Sequence, residues 1–384
     1  MTDDAFDRPT AGPLQWLPQR LVQSQDMQPQ EQACAPEDFD SDDPAPVSGA
    51  DDAFEHDASR DFAAESMAAP PVRWLRVRHE TRYRYDSDVE GALHLAHLRP
   101  RDTATQQVRM WSLVVSPHPD AGVELASGIR ETFDPWGNAR QVFAHSQVHD
   151  QLDVVSAFEA GVSAQALPEP GSNRPWREVA RDLRLHAGAR VHDAAADSGT
   201  SPERSAFEAA EFALSSALAP RAKALAEWAR PAAEANAGVV ELALALMHQV
   251  HAEFEYLPQS TSVTTGALEA LSLRHGVCQD FAHVLIGACR SLGLAARYVS
   301  GYLLTQPPPG TPRLVGADAS HAWAAVWCPP HGWLALDPTN DVVVGQDHVT
   351  LAWGRDYADV APLRGVIRGG SGNAPTVAVT VEPL

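Results

Sequence analysis

Twelve consecutive residues constrain this chain most. From Leu75 the odd positions read Leu75, Val77, His79, Thr81, Tyr83 and Tyr85, and the even ones read Arg76, Arg78, Glu80, Arg82, Arg84 and Asp86. Period-two alternation with a charge at every even position fits a strand with one face buried and one in water. Such a strand belongs to an antiparallel sheet. Val108–Val115, Gln141–Ala144 and Leu152–Val162 also read as strands, and Asp134-Pro-Trp-Gly-Asn138 carries turn chemistry. Residues 72–163 are therefore read as a small all-β domain. Its histidines, His94, His97, His145 and His149, include an i, i+4 pair, a spacing that gathers metal ligands only on a helix. Core or solvated histidines are the expectation.

Charge is unevenly placed. The formal net charge is −21, but residues 1–70 hold 16 Asp or Glu against 3 Arg, so about −8 is left for the rest. An acidic leader without apolar period is expected to be disordered. The acidity argues against nucleic acid as a partner. The start, MTDDAFDRPT, has no basic or apolar region of a secretory signal. No run approaches the ~18 apolar residues of a membrane span. Four cysteines make no disulfide framework, so a cytoplasmic protein with reduced thiols is expected.

Residues 164–235 read as linker and helices, and 236–384 as a second, catalytic unit. Val240, Ala243, Met247, Val250 and Phe254 form one helical stripe. In His275-Gly-Val-Cys-Gln-Asp-Phe-Ala-His283 a second helix opens. Phe281, Val284, Leu285, Ala288, Cys289 and Leu292 recur at helical spacing, and Gly293 is placed to end it. Cys278 then lies in the first turn, where unpaired N–H groups and the helix dipole favour a thiolate. A lone cysteine is more often an inert core thiol, and Cys289, on the buried stripe, is expected to be one.

Ala295–Leu304 reads as a strand, and a Pro/Gly loop follows. Ser320–Cys328 and Trp333–Asn340 flank Pro329-Pro-His-Gly332 as a hairpin. A turn centred on Pro329 sets His321 directly opposite Asp337, the placement a carboxylate needs to orient an imidazole. Nucleophile, base and orienting group are the three parts of thiol catalysis, so Cys278, His321 and Asp337 are the candidates.

Gly-Val-Cys-Gln-Asp-Phe-Ala-His, Ala-Arg-Tyr-Val-Ser-Gly-Tyr, Ser-His-Ala-Trp and Gly-Trp-Leu-Ala-Leu-Asp-Pro-Thr-Asn resemble, in order, the core of bacterial transglutaminase-like proteins. Arg78–Tyr85, His97–Arg101 and Asp134–Asn138 resemble the β-rich N-terminal domain that accompanies that core, and Gly354–Pro362 and Val377–Val381 also fit. The resemblance spans roughly residues 72–384. It implies an α+β architecture: a papain-like core, its Cys-bearing helix packed on an antiparallel sheet, preceded by the small all-β domain. It also implies Cys278 as nucleophile, His321 as base and Asp337 as its orienting group.

The backbone N–H of Cys278 is a natural oxyanion donor, with Tyr256 or Gln259 as upstream candidates for the second. Asp280 and Asp318 flank the site and either hold loops or are solvated. Cys328 and His331, separated by two prolines and lacking a second ligand pair, do not make a zinc site. No phosphate loop or dinucleotide motif is present, so neither cofactor nor metal is expected. Three functions fit: hydrolysis of a peptide or amide, transfer of a glutamine acyl group to an amine, and peptide binding without catalysis. The resemblance favours a peptidase-like hydrolase with a peptide or protein substrate. By family analogy it adds an ATP-grasp-type ligase as partner.

Overall fold

The computed structural model describes residues 71–121, 127–169, 172–186, 202–305, 320–372 and 374–384. The acidic leader and Asp318 lie outside the described residues. In the first strand, β1 (Val72–Ala96), Leu75, Val77, His79 and Thr81 are buried while Arg76, Arg78, Arg82 and Arg84 are exposed, as the alternation requires. It is followed by β2 (Gln106–Ser116), β3 (Arg130–Phe133), β4 (Ala139–His145) and β5 (His149–Ser163). These strands lie in the order β2-β5-β1-β4-β3.

Helices come next: α1 (Trp176–His186), α2 (Pro202–Glu211), α3 (Lys223–Ala235) and α4 (Val239–Glu253). Two short parallel strands, β6 (Glu255–Tyr256) and β7 (His275–Gly276), bracket α5 (Ala267–Leu273) and lead into α6 (Cys278–Ser291). Then come β8 (Ala296–Leu303), β9 (Ser320–Trp327), β10 (Trp333–Asp337), β11 (Val342–Val343) and β12 (His348–Gly354). These five form a second antiparallel sheet in the order β11-β10-β9-β8-β12. The chain ends with α7 (Tyr357–Val360), β13 (Leu363–Gly369) and β14 (Thr376–Pro383).

The last two strands depart from the sequence reading, which grouped 236–384 together. Both pair with β1 in the first sheet. β1 is 25 residues long and breaks register between Val89 and Gly91. Each half takes two neighbours: β5 and β14 for the first, β4 and β13 for the second. Alternation shows that a strand is half buried but not which distant strand completes its hydrogen bonds. The helices of 164–235 likewise pack with the later ones. Trp176, Val179 and Leu183 of α1 and Leu225 and Ala229 of α3 share one core with α6.

α6 is the centre of that core. Every residue from Gln279 to Arg290 is buried, where the sequence suggested a single apolar face. The helix is enclosed by α3, α4 and α5 and by β9, whose Ala322, Ala324 and Val326 offer a flat small-residue surface. Its buried guanidinium is fully partnered. Arg290 donates to the carbonyls of Phe212, Ala219, Ala296 and Arg355 and to Ser216 Oγ, tying the helix end to the loop after α2, the start of β8 and the turn after β12. Gly293 stops the helix at φ +89°, a conformation glycine adopts without strain.

The two sheets meet through Leu75, Val77, Phe158, Val379 and Val381 on one side and Tyr302, Leu304, Val349 and Leu351 on the other. Polar contacts also cross this seam, among them the Gln106 side chain with the Thr350 backbone. Tyr302 Oη is hydrogen-bonded to His79 Nδ1 at 3.0 Å, and His79 Nε2 to Thr81 Oγ1 at 2.9 Å. Burial holds the His79 imidazole down to about 4, against a small opposing pull from Glu80, so it sits neutral in the seam.

Candidate active site

Cys278 is the first residue of α6, partly buried, after Val277 in an extended conformation. Its neighbour Asp280 is buried and accepts the Val277 N–H at 2.8 Å and the Thr261 hydroxyl at 2.6 Å, holding the entry to the helix. Burial pushes the Asp280 carboxyl up although both hydrogen bonds oppose it. Gly276 is dictated by this approach: a Cβ there would lie 2.5 Å from Asp280 Oδ2 and 2.8 Å from its Cβ. The other two described cysteines sit in a different setting. Cys289 is fully buried and burial raises its thiol to about 12; burial raises Cys328 further.

The hairpin differs from the sequence expectation by a register slip. Trp333 pairs with Trp327, Leu334 with Val326, Ala335 with Ala325 and Leu336 with Ala324. The turn is centred on Pro330, not Pro329. Continued, this register sets Asp337 across from Trp323, and His321 lies two positions further along β9. Because side chains repeat every second residue, a two-residue slip keeps His321 and Asp337 on one face. Diagonal partners lie within reach of long side chains. His321 Nε2 is 2.7 Å from Asp337 Oδ2.

His321 is buried, and the Cys278 thiol is near enough to act on its proton affinity. Its Nε2 faces Asp337, so Nδ1 is the nitrogen left for the thiol. Burial works to lower its proton affinity, but Asp337 and Cys278 together lift it to about 10. Asp337 is fully buried at the end of β10. Burial would raise its carboxyl, yet His321, His348 and Asn340 hold it far below the usual carboxylate range. Its Oδ1 accepts the backbone N–H groups of Thr339 (3.0 Å) and Asn340 (3.2 Å), and its Oδ2 also accepts Asn340 Nδ2 at 2.7 Å. α4 clamps the same loop: His251 donates to the Thr339 carbonyl at 3.1 Å, and His248 pairs with Asp341.

The sequence reading missed His348, which is buried at the start of β12 with Nε2 3.0 Å from Asp337 Oδ2. Nothing local marks it, because the pairing of β12 with β8 brings it there. Asn340 stood in the Asp337-Pro-Thr-Asn motif, three residues from its partner, and was legible in principle. Ligand atoms of His321, Asp337 and His348 lie within 4.8 Å of one another. Their arrangement is that of hydrogen bonds. A third donor, the Asn340 amide, points at the shared carboxylate oxygen, and an N–H aimed there opposes a cation.

Of the two upstream candidates, Tyr256 is brought to the site. It is half-exposed, its ring is 6.3 Å from that of Phe281, and burial followed by the charge of Cys278 raises its phenol. Gln259 lies exposed in the next turn at φ +61°, and no hydrogen bond joins it to the site among the described residues. His283 accepts the Tyr357 N–H at 3.2 Å and packs 5.1 Å from the Tyr298 ring. Cys328 is buried while His331 is exposed and contacts Ser172. His94, His145 and His149 are core groups of the first sheet, with His94 stacked 5.1 Å from Phe143. Among the described residues, no helix is long and apolar enough to cross a membrane.

Comparison with known proteins adds to this geometry. Residues 225–338 match the Transglutaminase-like superfamily, and residues 75–160 match the Bacterial transglutaminase-like N-terminal region. An uncharacterized protein of Mycobacterium tuberculosis is 36% identical over 337 residues, 84% of this chain and 98% of its own length. A protein-glutamine gamma-glutamyltransferase of Pseudomonas aeruginosa is 33% identical over 152 residues, 38% of this chain and 22% of its own length. A solved structure of a candidate cysteine protease from Cytophaga hutchinsonii superposes with a TM-score of 0.59 at 19% identity, covering 82% of this chain and 91% of that one. This last likeness is one of fold.

Proposed function

The chain belongs to the transglutaminase-like superfamily, and from that membership we propose that it is a cysteine peptidase or amidase acting through a thioester. One observation carries the reading: a partly buried thiol at a helix N-terminus stands beside an imidazole whose Nε2 is held by a buried carboxylate. With the imidazole raised to about 10, His321 is protonated at neutral pH and is placed to donate to a leaving amine.

Cys278 Sγ attacks the amide carbonyl, and the oxyanion is met by the Cys278 N–H, with the Tyr256 hydroxyl as second donor. The imidazolium passes its Nδ1 proton to the leaving amine as the C–N bond breaks, leaving an acyl thioester and neutral His321. Water then attacks the thioester and gives its proton to His321. The acid departs as the C–S bond breaks, which frees the Cys278 sulfur beside a protonated His321. Asp337 keeps Nε2 protonated throughout and stabilises the positive ring.

Water is favoured as acceptor because Cys278 is only partly buried, and Tyr256 and Leu257, tied to the strand just before it, are exposed. The substrate is a peptide or protein. A reducing, cytoplasmic setting suits the free thiol, and an ATP-grasp-type ligase remains the partner suggested by family analogy. Trapping the acyl-enzyme from a peptide library and identifying the acyl group by mass spectrometry tests the chemistry. Adding a primary amine separates the acceptors. Free acid as main product at high amine supports hydrolysis; acyl-amine as main product makes the protein a cross-linking enzyme. A Cys278 that resists every acylating probe would leave a peptide-binding module.

A further inference from the structure

The Asp337 carboxylate serves two imidazoles. His321 Nε2 lies 2.7 Å and His348 Nε2 3.0 Å from the same oxygen, Oδ2. The His348 ring packs edge-on to Trp323, 5.4 Å between centroids, and stands 6.1 Å from the His321 ring. Its other nitrogen, Nδ1, faces the Gly345 N–H at 3.5 Å and is therefore the acceptor. The proton of a neutral His348 then sits on Nε2 and points at Asp337. Asp347, the preceding residue, is turned to Arg73, which leaves Asp337 and His321, among the described residues, as the ionisable groups facing the His348 ring.

We propose that His348 is a positioning residue of the candidate site, which shares the Asp337 oxygen with His321 and thereby sets how tightly His321 holds its proton. This rests on the reading of Cys278, His321 and Asp337 above. An oxygen has two lone pairs, and Oδ2 meets three donors: His321, His348 and the Asn340 amide. Each donor draws charge from the carboxylate and weakens its pull on the others. An imidazole held too tightly as its cation releases its proton slowly to the leaving amine and is seldom neutral to accept one from water. A base tuned back toward the working pH serves both half-reactions. A second donor on the carboxylate supplies that tuning without touching Cys278.

The test needs no known substrate. In the full-length chain with Cys34 replaced, the rates at which iodoacetate and iodoacetamide alkylate Cys278 are compared across pH. An anionic reagent gains from a neighbouring imidazolium and a neutral one does not, so the rate ratio falls where His321 loses its proton. His348→Phe, which keeps a ring against Trp323 but removes the donor, is expected to move this midpoint up by about 0.5–1 pH unit. His348→Gln, which keeps a donor, is expected to move it back toward the wild-type value. An unmoved or lowered midpoint in a folded His348→Phe protein overturns the proposal. Asp337→Asn is the control. If it too leaves the midpoint in place, the Asp337–His321 reading fails; if only His348→Phe does, this inference alone fails. Should His348→Phe not fold, nitrogen-15 NMR of the wild-type histidines decides. A neutral His348 protonated at Nε2, perturbed by Asp337→Asn, supports the proposal, and the Nδ1-protonated form overturns it.

Discussion

Asp337 lies diagonally across β10 and β9 from His321, and its Oδ2 still reaches His321 Nε2 at 2.7 Å. The contact works because Asp337 ends its strand, where the chain turns into Pro338-Thr339-Asn340 and two backbone N–H groups fix the carboxylate plane. Asp337→Asn should therefore keep the fold. The amide loses the charge that supports an imidazolium, and activity should fall by about 10²–10⁴-fold. Steady-state kinetics beside a thermal melt will check this; an active Asp337→Asn protein would contradict the assignment.

The described thiols should separate by reactivity. At pH 6 iodoacetamide should label Cys278 while Cys289 and Cys328 stay unlabelled in the folded protein, because burial raises both of those thiols. Cys34 is replaced beforehand. Mass spectrometry of the digested protein gives the site directly, and equal labelling of Cys278 and Cys289 would show that the helix terminus confers no activation.

Acid should destabilise the fold before its carboxylates titrate. Burial holds His79, His94 and His283 down to about 4. The unfolded chain binds protons at these rings from about pH 6.5 downward, and the folded chain does not until about pH 4. Stability is thus intact above pH 6.5 and declines through that window, by on the order of 3 kcal/mol at most for each ring. His321 has the opposite sign: its contribution is present below pH 6.5 and is lost as pH rises through about 10. Urea unfolding midpoints from pH 4 to pH 10 should trace a dome. A flat profile between pH 4 and 6.5 would show that the histidines are solvated.

Arg290→Met should be among the most damaging changes away from the thiol. The side chain is fully buried and feeds four carbonyls and a hydroxyl from two loops and the start of β8. Methionine fills much of the volume but leaves those acceptors dry. The expected cost is at least about 3 kcal/mol. A denaturant melt measures it, and a loss below about 1 kcal/mol would mean that water replaces the guanidinium.

Much of this was decided locally and was legible in the chain. Alternation at Leu75–Asp86 is a property of neighbouring residues, and so is the thiol at the start of an apolar helix that Gly293 ends. The pairing of His321 with Asp337 needed only two strands and a short turn. Even a register centred one residue away kept the right face, since the side-chain period of a strand is two. Long-range partners were a different matter. That β13 and β14 would close the sheet begun by β1, that α1 and α3 would join the core around α6, and that His348 would share a carboxylate with His321 all depend on chain segments meeting across the fold. Such contacts leave no period in the sequence. They follow from burying several half-apolar surfaces at once, which the whole chain settles together.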